Sequence, residues 1–120
     1  MTILVVDDSK AMRMIVMRTL RQAGYEGHEI LQAEHGQDAL DKIAAGPKPD
    51  LVLSDWNMPE MNGIDFLRSL RSAGSDVAFG FVTSEGTESM REQASEAGAL
   101  FLIAKPFTVD AFKQALAGVL

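Results

Sequence analysis

Ile3 to Ser9 read ILVVDDS. Four consecutive apolar residues with no polar alternation describe a strand covered on both faces, as in a parallel sheet packed between helices. Asp7 and Asp8 end that run, and Ser9 stands where a helix N-cap is expected. Met12, Ile15, Val16, Thr19, Leu20 and Ala23 then fall on one helical face, and Gly24 supplies the stop. Strand, acidic turn and helix together make the first half of a βαβ unit.

The same rhythm recurs downstream. Further strands are expected at Glu29 to Ala33, Leu51 to Ser54, Val77 to Thr83 and Leu100 to Ala104, after the first at Ile3 to Val6. A second helix fits Ala39, Leu40, Ile43 and Ala44, stopped at Gly46-Pro47. A third uses Ile64, Leu67 and Leu70 before Gly74. Thr87 caps a fourth carrying Met90, Ala94 and Ala97 up to Gly98, and Thr108 opens a fifth with Phe112, Leu116 and Val119. The fold class is therefore α/β: a doubly wound, five-stranded parallel sheet, (βα)5. Right-handed crossovers put every strand's C-terminal end at one edge, where open α/β sheets bind ligands.

Bulk properties agree. The chain has 120 residues, a formal charge of −6 and no cysteine. One domain over 1–120 is expected, with no encoded output domain. No apolar run approaches the roughly 18 residues of a membrane span, and two carboxylates interrupt the N-terminus before a signal-peptide core forms. The expected location is cytoplasmic. The negative charge opposes direct binding to nucleic acid or to anionic membranes, so the partners should be proteins.

At the sheet edge the first strand delivers Asp7 and Asp8, the third Asp55, the fourth Thr83 and Ser84, and the fifth Lys105. Three crowded carboxylates repel one another unless a cation intervenes, and hard oxygen donors without His or Cys favour Mg²⁺ over zinc. A carboxylate can attack phosphorus to give an acyl phosphate when cations and hydroxyls stabilise the phosphoryl oxygens. Lys105 and Thr83 are suited to that task.

Four stretches in this order, VVDDS, LSDWNMPEMNG, VTS and AKPF, carry a resemblance over the whole chain to the receiver domains of two-component response regulators, especially the single-domain, CheY-like chemotaxis type. The resemblance implies strand order 2-1-3-4-5, the flavodoxin-like order. It implies that Asp55 is the phosphoacceptor and that Mg²⁺ is held by Asp8, Asp55, the Asn57 backbone carbonyl and, through water, Asp7. Thr83, Ser84 and Lys105 would contact the phosphoryl group, and the Lys105-Pro106 bond would be cis. Gly63 matches the glycine before the third helix. Asn57 and Glu85 would tune dephosphorylation. A sensor histidine kinase would be the phosphodonor. The face of the fourth helix, fifth strand and fifth helix would pass the signal on through Arg91, Leu102 and Phe107 to a protein target that the sequence does not name.

Two departures stand out. Leu102 occupies a position that is usually aromatic, and Glu88, Ala115 and Gly118 replace residues that are often basic on the output face. A haloacid-dehalogenase-type phosphatase shares the aspartate chemistry, but Asn57 stands where its acid/base aspartate is expected and cannot transfer a proton at neutral pH. A docking module whose Asp55 is never phosphorylated is a third reading. Phe101 is expected in the core, opposite to Leu102. Gly80 is read as a close packing position, Met12, Met14 and Met17 as core filling and surface, and His28 and His35 as solvated residues away from the carboxylate edge.

Overall fold

The computed structural model describes residues 2–119. Its strands are β1 (Thr2–Val6), β2 (Glu29–Ala33), β3 (Leu51–Ser54), β4 (Ala78–Thr83) and β5 (Phe101–Ala104). The helices are α1 (Lys10–Leu20), α2 (Gly36–Ala45), α3 (Gly63–Ser72), α4 (Glu88–Glu96) and α5 (Val109–Leu116). All strands are parallel and the order is β2-β1-β3-β4-β5.

Strand pleating sorts the central residues to two faces. Ile3, Val5, Leu51 and Leu53 pack with Val16 and Leu20 of α1 and with Phe112 and Leu116 of α5. Leu4, Val6, Val52, Phe79 and Phe81 face the opposite way, toward Ala39, Ile64, Phe66, Leu67, Met90 and Ala94 of α2, α3 and α4. Each fully buried Leu, Ile or Phe contributes roughly 1.5–3 kcal/mol relative to exposure. The consecutive apolar runs are thus explained by helices on both sides.

Side-chain caps set the helix starts. The N–H groups of Met12, Asp65, Met90 and Ala111 donate to Ser9, Asn62, Thr87 and Thr108, respectively. At the other ends, Gly74 and Gly98 adopt positive φ, the left-handed conformation that glycine takes at least cost, whereas Gly24, expected to stop the first helix, takes its positive φ as a kink inside a π-helical turn (Arg21–Tyr25) that continues α1.

Several expectations need correction. β4 starts at Ala78, one residue after Val77, and β5 at Phe101, one after Leu100. The Val77 carbonyl instead accepts from Arg71, whose guanidinium also reaches the Ser75 and Gly98 carbonyls. Ile15 is 43% exposed and not core. Arg13 takes the buried side of α1 in its place. Ala97 and Val119 lie just beyond α4 and α5.

Both histidines are less solvated than expected, although His28, just before β2, does lie away from the carboxylate edge. His35 Nδ1 accepts from the Asp38 N–H and caps α2, while Nε2 lies 3.4 Å from Glu60 Oε2. His35 follows β2, so it sits at the C-terminal edge of the sheet. His28 packs its ring against Tyr25 at 5.7 Å, with Nδ1 buried. Gly80 behaves as expected, since a side chain there would overlap the Phe101 ring. Phe101 and Leu102 do pack on opposite faces.

Candidate functional site

Backbone pairing runs one residue past three strand ends. Asp7 N–H donates to Ala33 (3.1 Å), Asp55 N–H to Val6 (2.9 Å) and Lys105 N–H to Thr83 (2.7 Å). These bonds fix the main chain of Asp7, Asp55 and Lys105 just where the side chains leave the sheet. The residues therefore meet without long, floppy loops.

Asp7 is buried, Asp55 half-buried and Asp8 exposed, and a carboxylate oxygen from each lies within 4.8 Å of the others. Lys105 Nζ sits 3.3 Å from Asp7 Oδ2 and 3.5 Å from Asp55 Oδ2. Asp7 Oδ1 accepts from Ser9 N–H (2.9 Å), and Asp55 Oδ1 from Trp56 N–H (2.7 Å). Burial pushes the Asp55 carboxyl above its ordinary value; the Lys105 ammonium opposes that rise and the neighbouring Asp7 carboxylate adds to it.

Thr83 is fully buried at the end of β4, and its Oγ1 accepts from Glu85 N–H (3.3 Å). Ser84, Glu85 and Asn57 are exposed around the same edge. The Lys105-Pro106 peptide is cis. Gly63 N–H donates to the Trp56 carbonyl (2.7 Å), and any Cβ on Gly63 would collide with the Asp55 carbonyl. Glycine is thus required for α3 to start directly beneath the turn that follows Asp55. Trp56 packs against Phe81 with ring centroids 4.8 Å apart.

Sequence patterning alone does not single out Arg13. Its guanidinium is buried, with one nitrogen 2.6 Å from the Asp7 carbonyl and Nε 3.0 Å from Gln32 Oε1. A signal existed: Arg13, Val16 and Leu20 share one stripe of α1, so a charge at position 13 had to be buried with a partner. The Glu60–His35 contact is likewise invisible to sequence patterning. Neither partner belongs to a recognisable local pattern.

On the adjoining face, Leu102 is half-buried beside Gly86 and packs toward the Phe81 side of the core. Arg91 donates to the carbonyls of Leu102 (3.2 Å) and Gly86 (3.4 Å). Phe107 stacks near Phe112, with centroids 4.8 Å apart. The three residues assigned to the output face therefore surround the end of β5. Among the described residues, no helix is long and apolar enough to cross a membrane.

A parallel sheet of this order with three acidic residues and a lysine at its C-terminal edge is the arrangement expected of a receiver-type protein. Residues 3–117 match the family model of the response regulator receiver domain, and the chain belongs to that family. It is 41% identical to the chemotaxis protein CheY1 of Helicobacter pylori, over the whole chain and 97% of that relative. A chemotaxis protein CheY homolog of Campylobacter jejuni is 38% identical, over the whole chain and 92% of the relative. Among solved structures, Vibrio cholerae chemotaxis protein CheY4 superposes with a TM-score of 0.84 at 31% identity, covering 99% of this chain and 98% of that one. The chain is a CheY-type receiver domain, consistent with a chemotaxis response regulator of a two-component system.

Proposed function

We propose that the chain is a single receiver domain that switches when Asp55 accepts a phosphoryl group from a sensor histidine kinase, and that the change is read by a protein partner in the cytoplasm. The observation that carries this reading is the convergence of Asp7, Asp8, Asp55 and Lys105 at one sheet edge. The donor set fits Mg²⁺: the clustered side chains offer carboxylate oxygens, and burial raises the Asp55 carboxyl, which a cation would offset. Asp8, Asp55 and the Asn57 carbonyl would hold the ion, with Asp7 acting through water. Bound there, Mg²⁺ would neutralise charge on the phosphoryl oxygens.

Asp55 supplies the nucleophilic oxygen. Its Oδ1 is oriented by Trp56 N–H and its Oδ2 lies beside Lys105. As the new O–P bond forms, the bond to the donor's leaving group breaks, and the leaving group departs on the opposite side of phosphorus. Lys105 then pairs with a phosphoryl oxygen, while the hydroxyls of Thr83 and Ser84 donate to others. Movement of Thr83 is passed to Leu102, a branched aliphatic whose rotamer and packing, rather than the turn of an aromatic ring, carry the signal to Arg91 and Phe107. Asn57 and Glu85 flank the path of the hydrolytic water and set the lifetime of the acyl phosphate. The only chemistry expected is this self-phosphorylation and autodephosphorylation, in which water attacks phosphorus and inorganic phosphate leaves.

Trp56 provides a direct reporter, because it follows Asp55 and is buried against Phe81. Its fluorescence should change on titration with Mg²⁺ and again on addition of a small acyl phosphate. A flat response to both would contradict the reading, and continuous turnover of phosphomonoesters would favour a phosphatase.

A further inference from the structure

The turn after Asp55 meets the first turn of α2. His35 Nε2 lies 3.4 Å from Glu60 Oε2, and a Cβ on Gly36 would stand 3.0 Å from the Met61 side chain and from Phe66. Gly36 thus leaves the room in which Met61 sits. Glu60 has a φ of 66°, the one positive φ outside glycine among the described residues. A left-handed glutamate is costly and persists only where its surroundings hold it. Met61 N–H closes the turn on the Pro59 carbonyl at 2.7 Å, and the contacts with His35 and Gly36 join that turn to a regular helix.

His35 uses its two nitrogens differently. Nδ1 accepts from Asp38 N–H at 3.1 Å as the N-cap of α2, so the neutral ring that makes this bond carries its proton on Nε2, the atom that faces Glu60. Asp38 is occupied elsewhere: its Oδ2 accepts from Glu34 N–H and pairs with Lys42 at 3.1 Å. The ring is largely covered and Glu60 is not, with side-chain exposures of 22% and 66%. The cap fixes the ring, and the fixed ring gives the exposed carboxylate a place to rest.

We infer that His35 is a positioning residue for the phosphoacceptor turn: through Glu60, and beside the seat that Gly36 gives Met61, it holds the turn against α2 and steadies the segment that begins with Asn57, whose carbonyl would hold Mg²⁺. The inference rests on the proposed Mg²⁺ site for its effect on metal, while the hold itself belongs to the metal-free chain. An exposed pair contributes little by itself, so the effect on the site is a tuning of about threefold.

His35→Asn, Glu60→Ala and Glu60→Gln, compared with the parent, test this. Asparagine keeps a side-chain cap for α2 but is too short to bring a donor to Glu60, and glutamine keeps an acceptor at the contact without the charge. In the metal-free chains, exchange of the Met61 amide hydrogen should quicken about threefold in His35→Asn and Glu60→Ala and stay close to the parent in Glu60→Gln. Mg²⁺ titrations followed by Trp56 fluorescence should rank the chains in the same way, with affinity about threefold lower in the first two. Nitrogen NMR shifts of the parent's His35 should place the neutral ring's proton on Nε2. Unchanged exchange in His35→Asn, or a proton on Nδ1, would overturn the inference. So would an equal change in Glu60→Gln and Glu60→Ala, which would trace the effect to charge alone. A parent that gives no Mg²⁺ response would instead sink the metal reading, and exchange in the metal-free chains would still decide whether His35 holds the turn.

Discussion

Lys105 Nζ lies 3.5 Å from Asp55 Oδ2, so the base after β5 touches the acid after β3 across the intervening end of β4. The same ammonium also touches Asp7. It holds together carboxylates that would otherwise repel one another, in a site where Asp55 is costly to ionise.

That cost predicts a stability effect in the metal-free chain. Asp55 has a folded-state value above its unfolded one, so the stability it contributes is full below the unfolded value and lost as pH rises through the raised folded value. Asp55→Asn removes the loss and should stabilise the metal-free protein near neutral pH. The gain should be modest, because a half-buried carboxylate is partly screened by solvent. Urea unfolding of both proteins across pH should show the difference shrinking as the buffer is acidified. A variant less stable than the parent at neutral pH would refute this.

Arg13 anchors the turn that carries Asp7 and Asp8. Arg13→Met removes a charge-assisted hydrogen bond to the Asp7 carbonyl and strands Gln32, for an expected loss of about 2 kcal/mol. Mg²⁺ affinity read from Trp56 fluorescence should fall as well, and Arg13→Lys should restore part of it. Unchanged affinity in a folded Arg13→Met protein would show that the turn holds without its anchor.

Gly63 and Gly24 separate two uses of glycine. Gly63→Ala forces a Cβ into the Asp55 carbonyl and should cost about 1–3 kcal/mol or more, shifting the acceptor turn with it. Gly24→Ala meets no atom within 4 Å and is penalised only by its φ of 102°, worth about 1 kcal/mol. Chemical denaturation should rank them in that order, with only Gly63→Ala altering the response of Trp56 to Mg²⁺.

Replacing both Asn57 and Glu85 with alanine should change the decay rate of the acyl phosphate without moving the unfolding midpoint by more than about 0.5 kcal/mol, since both side chains are exposed. Decay followed by phosphate release is the check. An unaltered rate would remove both residues from that role.

The sheet was legible because its strands are buried on both faces: ILVV and LVL admit few other readings, and β2 and β3 begin and end where the residues suggest. The carboxylate cluster was legible because strand ends in a parallel sheet share an edge. What escaped depended on contacts between distant segments. Val77 and Leu100 are apolar enough for a strand, yet Arg71 claims the Val77 carbonyl from another element. Ile15 fits the helical stripe of α1, but Arg13 occupies the buried side, tied to Asp7 and Gln32. Sequence alone leaves His35 in solvent because nothing local shows that Glu60 approaches it. Hydropathy records a side chain's preference for burial and not the partner that makes burial of a charge tolerable.

The central claim is tested most directly by incubating the chain with a small acyl phosphate and Mg²⁺, then measuring intact mass beside an Asp55→Asn control. One added phosphoryl group on the parent, dependent on Mg²⁺ and absent from the control, is the predicted result. No adduct on the parent, or an equal adduct on Asp55→Asn, would contradict the assignment of Asp55 as acceptor.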